Sequence, residues 1–536
     1  LVKKGVKQKE NILKLFCSIF IDMNKINWTV DQMDNLIVQY FFQLVRTENL
    51  ENIEQRLNFL LYKIKKNYVK NIKNLILLYK LIGHTRDIIS GKGEIKLSYM
   101  QIYTWFQFFP NLAQFAFKQF VIPDCKMHPY GSWKDIKCFC HYVKKKSNNE
   151  NHPLIWFSIN LMLTQLASDH YSILNNDPCI ISLAGKWVPR QRSKHWWLFN
   201  KMAYQYYSNY FMNVDHSNYH LAKKKAKTHF RKLLSMLNHY LKTPEIFMCS
   251  KKWDRIGKIS SLALFKNRKA LLKNKPELFK NLPAKKCSVG QLVKAALKSN
   301  SIQEDTLLNK LWANNSSINK NLKNIIPIID TSFYSLRDKC QTLYSAIGLG
   351  IRISEKTSPF KNRLFIYSNS PKWVIFKKKQ TFVQKVKYLY QFISSAQNNF
   401  SSLLKLIANK IAKNGLSINE VTKLTFIVLS SKHSWSNENL YLSIPEIFSK
   451  AGMQTFGVPY LPPRFIFWNL SSGDEFPAIF SRFNVAMISG HNSSNLNLLS
   501  KKTSNKYEMK NSYMILEDIL SSNRYDILAK RLLQLV

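Results

Sequence analysis

The sequence predicts a multidomain protein of the α plus α/β class: an N-terminal α-solenoid followed by a doubly wound, mostly parallel sheet of Rossmann-like plan. Three observations lead there. The chain has 536 residues, more than one core usually holds, and 46% of them are hydrophobic, ample for packed domains. Up to about residue 320, apolar side chains recur at helical spacing. Beyond it, short apolar runs alternate with helical patterns, the rhythm of βαβ units.

In Glu51–Leu81 the residues Ile53, Leu57, Leu60, Leu61, Ile64, Tyr68, Ile72 and Leu75 fall on one helical face. Ser98–Phe109 and Pro110–Val121 predict an antiparallel pair broken at Pro110, because proline suits a helix start and disrupts its interior. His216–Lys242 and Ser288–Leu311 continue the series. Helix pairs with short breaks stack as HEAT-like repeats, although no sequence repeat is visible. Lys144–His152 is polar and predicts a loop. Ala313–Asn324, rich in Asn and Ser, marks a boundary, giving a helical region over 1–320 and a sheet domain over 321–506.

In the sheet domain, strands are predicted at Ile325–Ile329, Arg363–Tyr367, Trp373–Phe376, Leu424–Leu429, Arg464–Trp468 and Val485–Ile488. Helical patterns separate them at Arg337–Ile353, Phe382–Ser395, Ser401–Ala412 and Ile444–Ala451. Residues 507–536 predict one or two closing helices packed on that domain.

Charge is the strongest global signal. Eighty Lys and Arg face 32 Asp and Glu, a net +48. Self-repulsion on this scale calls for an anionic partner, nucleic acid first and an anionic membrane surface second. Abundant Lys, Asn and Ile fit A/T-rich coding, but such coding does not deplete acids. The excess is also local: Ile181–Asn300 holds 26 Lys and Arg against Asp215, Glu245, Asp254 and Glu277, or +22. No run of about 18 apolar residues predicts a membrane span, and the scattered cysteines do not form a disulfide framework. No secretion signal is seen, so a cytoplasmic or virion-associated location is expected; the first residue is Leu, which leaves a removed leader open.

Four stretches could carry chemistry. Asp330-Thr331-Ser332 closes the first strand, where ligands sit in open α/β sheets, and matches the opening of the Asp-x-Ser-x-Ser cation motif. Tyr334 then stands at the third ligand position, and Ser431 where a second Asp is expected. Asp330 and Ser332 are thus the remaining candidates for Mg²⁺, and the preferred reading has Asp330 capping the next helix. Cys125, His128, Cys138, Cys140 and His141 are zinc-type ligands without finger spacing; packing within helices is preferred. Gly91-Lys92-Gly93-Glu94 lacks the phosphate-loop pattern and reads as a helix-to-helix turn. The fourth stretch, Gly185–Phe211, mixes cations and aromatics: Lys186, Trp187, Arg190, Arg192, Lys194, Trp196, Trp197, Tyr204, Tyr206, Tyr207 and Tyr210. Lys223, Lys224, Lys225, Lys227, Arg231 and Lys232 follow. Cations there would neutralise phosphates and aromatics would stack on unpaired bases, against the alternative of core aromatics under a solvated lysine face. No Gly-x-Ser-x-Gly elbow, His-Glu-x-x-His motif or convincing carboxylate pair appears, so no enzyme activity is expected.

Several stretches together resemble an uncharacterised family of giant viruses, plants and fungi, similar in plan to the Ro ribonucleoprotein. They are Thr85-Arg86-Asp87 with Gly91–Glu94, Pro129–Asp135, Gly185–Pro189, Phe230–Ser235, Pro327–Ser332, Phe465–Leu470 and Ile488-Ser489-Gly490. The resemblance implies a TROVE-like helical repeat region, a von Willebrand factor A-like domain with a degenerate metal site, and RNA as partner. The expected function is a nucleic-acid-binding scaffold. The alternative is a structural or packaging component, for example of a virus particle, with protein partners on the sheet domain.

Overall fold

The computed structural model describes residues 30–47, 49–66, 71–123, 127–176, 181–212, 218–256, 261–279, 287–316, 319–331, 340–393, 400–430, 438–471, 485–499 and 512–535. Among them the longer helices of the first region are α1 Val30–Gln43, α2 Glu51–Lys66, α3 Ile72–Arg86, α4 Ile95–Phe108, α5 Pro110–Val121, α6 Lys134–Ser147, α7 Pro153–Leu174, α8 Trp196–Tyr206, α9 Tyr219–Tyr240, α10 Val289–Leu297 and α11 Ile302–Ser316. Local chemistry sets their ends. Glu51 and Glu54 open α2 and Lys63, Lys65 and Lys66 close it, complementing the helix dipole. Pro110 and Pro153 occupy first turns, where a missing N–H costs nothing. The expected loop at Lys144–His152 shortens, because α6 runs on to Ser147.

The sheet has six strands: β1 Ile325–Asp330, β2 Arg363–Tyr367, β3 Lys372–Ile375, β4 Thr425–Ser430, β5 Arg464–Asn469 and β6 Val485–Ser489. Their order is β3-β2-β1-β4-β5-β6. All neighbours are parallel except β3, which returns antiparallel to β2 as a hairpin. The β1–β2 ladder starts at Ile328, one residue beyond Pro327, which has no N–H to give. Helices α12 Gln341–Lys356, α13 Phe382–Tyr390, α14 Phe400–Lys413 and α15 Glu438–Phe456 lie between strands, and α16 Ser512–Leu520 and α17 Asp526–Leu533 close the described chain.

Two cores result. Ile326 and Ile328 of β1 join one cluster with α14 and α15. Ile325 and Ile329 point the other way, into a core that continues through α12 into the helical region. α10 and α11 pack chiefly on α12 and α13, while Arg268 ties the start of α11 to the preceding helices through Glu304 at 2.8 Å. Glycines permit this approach: a Cβ on Gly348 would come within 2.9 Å of Val289. Trp312 of α11 stacks on Phe382 at 4.0 Å.

The closing helices, expected on the sheet domain, lie largely on α1 and α3, with α16 also touching β6. Paired charges fix them. Asp87 is fully buried and takes two hydrogen bonds from Arg524, both 2.8 Å, and one from the Tyr525 hydroxyl at 3.1 Å. Lys80 donates to Asp526 at 3.0 Å and to the Leu520 carbonyl at the end of α16 at 3.1 Å.

Candidate nucleic-acid interface

The sequence of α6 divides it into two faces. Asp135, Ile136, Phe139, Cys140 and Val143 turn inward. Lys134, Lys137, His141 and Lys144, spaced three, four and three apart, form a stripe on the other side, about 15 Å long at the helical rise. A buried ion pair orients the helix. Asp135 receives hydrogen bonds from Arg86 at 2.9 and 2.7 Å, from the Tyr99 hydroxyl at 2.6 Å and from the Ser132 amide at 2.8 Å.

The segment leading into α8 lies opposite that stripe. Its helical turn, Ala184–Trp187, is pinned to α9, where the Asn238 amide donates to the Gly185 carbonyl at 3.1 Å. A Cβ on Gly185 would press within 3.2 Å of Leu237. This holds the half-buried Trp187 ring among three lysines, Lys137 at 4.8 Å, Lys134 at 5.9 Å and Lys186 at 6.0 Å from its centre, cation–π distances. Arg190, Arg192 and Lys194 follow, all exposed. His195 is buried, its ring 5.0 Å from that of His141. At the far end of the stripe Lys144 lies 4.7 Å over Trp197, and Lys201 lies 5.1 Å over Trp156. Trp156 is 39% exposed and Trp196 57%.

Charge compensation along this track is uneven. Lys144 pairs with Glu150, Lys146 with Glu54 at 2.7 Å and Lys186 with Glu245 at 3.0 Å. Among the described residues no carboxylate pairs with Lys134, Lys137, Arg190, Arg192 or Lys194. Their mutual field is visible in the titrating groups. Burial, then Lys134, Arg190 and Lys194, holds the Lys137 ammonium below its ordinary pKa. Burial, then Lys194, Lys144 and Lys145, lowers His141. His195 is pushed down to about 4 by burial, His141, Lys194 and Lys137.

α9 buries Ala222, Ala226, Phe230, Leu233, Leu234 and Leu237, which leaves Lys224, Lys225, Arg231 and Lys232 exposed and Lys223 and Lys227 at the edges. Lys223 sits 4.3 Å over Tyr219 and 6.0 Å over Tyr204 of α8, so the cations of α9 adjoin the track there.

Of the residues the sequence nominated, Lys186, Trp187, Arg190, Arg192 and Lys194 thus share one segment beside α6, and the α9 cations form a neighbouring row. The aromatics divide. Trp197 is core, Tyr207 stacks on Tyr210 at 5.1 Å beside His229, and Trp196 remains exposed. Sequence reasoning missed Lys134, Lys137 and Lys144; their helical spacing was readable, but the cysteines between them suggested a metal instead. Those do not converge. Cys140 is in the core, its thiol pushed by burial up to about 12, while His141 faces the opposite side. His128 hydrogen-bonds to the Pro129 carbonyl, and Cys125 lies outside the described residues. Among the described residues no three of His, Cys, Asp and Glu gather to hold a metal.

The carboxyl edge of the sheet is partly occupied by the protein itself. Lys92, in the turn from α3 to α4, is buried and donates to the carbonyls of Phe41 at 2.5 Å and Leu44 at 3.0 Å and to Ser489 Oγ at 2.7 Å. Asn469 donates to the Phe42 carbonyl at 3.1 Å. The last carbonyls of α1, which have no partner within the helix, are thus satisfied by Lys92 and by the ends of β5 and β6. Burial holds the Lys92 ammonium well below its ordinary pKa. At the β1 end, Asp330 is 2% exposed and accepts a hydrogen bond from Ser430. The first helix described after β1, α12, begins at Gln341 with Cys340 as its N-cap; residues 332–339, where the sequence predicts a turn capped by Asp330, lie outside the described residues. Ser332 lies outside the described residues.

The fold and this surface define a mostly helical protein with a mixed, largely parallel sheet in its later region and a basic, aromatic-lined track on its helices. Residues 138–286 match the model of a family described as a domain of unknown function (DUF2828), and residues 324–523 match that of another, a domain of unknown function (DUF7788). The chain is also similar to the solved Ro (RSR) protein of Deinococcus radiodurans, at 9% identity and a TM-score of 0.36, over 87% of this chain and 98% of that one. No curated protein matches. No helix among the described residues is long and apolar enough to cross a membrane.

Proposed function

We propose that the protein is a non-enzymatic nucleic-acid-binding scaffold, with RNA as its ligand. The observation that carries the reading is the track itself, in which Lys134, Lys137, Arg190 and Lys194 lie close together without a carboxylate partner among the described residues. Uncompensated cations held by a folded surface gain most from phosphates, because each phosphate they neutralise releases counterions. The resemblance of the sequence stretches to the Ro plan supports RNA over DNA. On this reading the helical part is a TROVE-like repeat scaffold, and the sheet is a von Willebrand factor A-like domain that has lost its cation site.

The test is titration of fluorescent structured RNA, single-stranded RNA and duplex DNA at two salt concentrations. RNA binding should weaken steeply with salt. Neutralising Lys223, Lys224, Lys225 and Arg231 should lower both affinity and salt dependence. Absence of binding to every nucleic acid at low salt would sink the reading.

One feature favours a second role in protein assembly. Met453, Phe456, Val458 and Leu461 are each about half exposed around the end of α15, an apolar patch of the kind that marks protein contacts. Many copies per isolated assembly would favour packaging, and a few copies with one bound RNA the scaffold.

A further inference from the structure

The track is not uniform, and its least compensated stretch lies at the Trp187 end. Lys144, Lys146 and Lys186 each have a glutamate. Around Lys137 the described residues supply none. Lys137 and His141 are one turn apart on α6, the His141 ring lies 5.0 Å from that of His195, and Lys194 directly precedes His195. Lys134, Arg190 and Lys194 also act electrostatically on Lys137, and Lys194 on both histidines. Two elements contribute: α6 and the segment from Trp187 to the start of α8. His195 is 8% exposed and its Nδ1 has no hydrogen-bond partner among the described residues. A buried imidazole nitrogen without a partner carries the cost of an unmade hydrogen bond, and here it lies next to Lys194 in the chain and beside His141. Trp187 presents its ring to Lys137 at 4.8 Å and Lys134 at 5.9 Å, with the glutamate-paired Lys186 at 6.0 Å.

We propose that Lys137, Arg190 and Lys194, backed by His141 and His195, form a subsite for a phosphomonoester, the terminal phosphate of a nucleic-acid strand, with Trp187 beside it to receive the adjoining base. The proposal rests on the nucleic-acid reading above and sharpens it. A terminal phosphate carries about 1.5 to 2 negative charges at neutral pH, against one for a backbone diester. The densest uncompensated positive charge on the track is therefore matched best by a strand end. Stacking on an indole is open to any unpaired base, so the subsite selects an end without selecting a sequence.

The experiment uses the full chain and one single-stranded RNA sequence in three forms: 5′-phosphate, 3′-phosphate, and hydroxyl at both ends. Affinities are measured at fixed salt, with inorganic phosphate as competitor. One phosphorylated form should bind about tenfold tighter than the hydroxyl form, a difference of about 1.4 kcal/mol. Inorganic phosphate should erase that preference while leaving the hydroxyl form bound. Arg190→Gln with Lys194→Gln, both at exposed positions, should remove the preference; Lys137→Gln alone should reduce it. Equal binding of all three forms overturns the subsite, as does a preference that survives the double substitution. Competition by inorganic phosphate equally against all three forms also overturns it, since that marks a general backbone contact or a site for free phosphate. If no form binds at low salt, the nucleic-acid reading itself fails, an outcome distinct from these.

Discussion

The joint between the helical region and the sheet uses the same residue types as the basic track, and to opposite effect. At the joint, Arg86, Lys92 and Arg524 are each matched by carboxylates, carbonyls or hydroxyls, and Asp87 and Asp135 are almost wholly buried. Along the track, Lys134 and Lys137 lie over the Trp187 ring, and they, Arg190 and Lys194 have no carboxylate partner among the described residues. A charge buried with its partners holds elements together and cannot be removed singly without cost. A charge held at the surface without a counter-ion adds little to stability and remains available to a ligand. The comparison thus separates cations that build the molecule from cations it presents.

Substitutions should widen this contrast, in falling order of their effect on stability. Asp135→Asn leaves the Arg86 guanidinium buried beside a neutral amide. It should cost about 3 to 5 kcal/mol, read as a lower denaturant midpoint; a loss under about 1 kcal/mol would show the pair to be dispensable.

Acid should act next, and on the joint. Burial first, then Lys92 for His84 and Arg46 for His491, pushes both histidines down to about 3. Their folded pKa lies below the unfolded value, so the stability they contribute is intact above about pH 6.5 and falls as pH drops from there toward 3. Each should cost about 1.4 kcal/mol per pH unit within that window. Urea midpoints at pH 7 and pH 5 should differ accordingly, and His491→Asn should make the slope shallower. An unchanged midpoint in the natural protein would contradict the neutral, buried state.

Lys92→Met exchanges a buried amine for an apolar chain of similar length. It leaves the Phe41 and Leu44 carbonyls short of a donor, about 1 to 3 kcal/mol. Hydrogen exchange should quicken at the ends of α1 and β6 before other sites; uniform quickening would mean that Lys92 does not act locally. Smallest of all, Lys134→Gln with Arg190→Gln should shift stability by less than about 0.5 kcal/mol. The same change should lower the slope of log affinity for single-stranded RNA against log salt by about 0.7 for each phosphate no longer neutralised. A large fall in stability would place these cations with the joint.

The motif stretches behave instructively. Thr85-Arg86-Asp87, Gly91–Glu94, Pro129–Asp135 and Ser489-Gly490 looked like scattered family marks in sequence. In the structure they meet at or beside the joint, with Arg86 on Asp135, Lys92 on Ser489, and Asp87 on Arg524. Their sequence separations run from 49 to 437 residues, beyond the reach of any local pattern. The basic stretch from Gly185 was legible as charge, but its opposing wall on α6 was not, because the cysteines and histidine of that helix drew a metal reading. Of the metal candidates, Asp330 hydrogen-bonds to Ser430, one hundred residues away, which spacing around Asp330 alone could not show.

By itself the sequence determined where the six strands lie to within about a residue or two, where most helices run, and how far its cations outnumber its acids. Those properties are local or additive: periods of 3.6 and 2, proline at helix starts, and a sum of charges. Only the tertiary structure decided which cations are matched and which are presented, that the closing helices lie on α3, and that α1 covers the ends of β5 and β6. These depend on pairings between residues hundreds of positions apart and on burial, which sets whether a charge needs a partner within the protein.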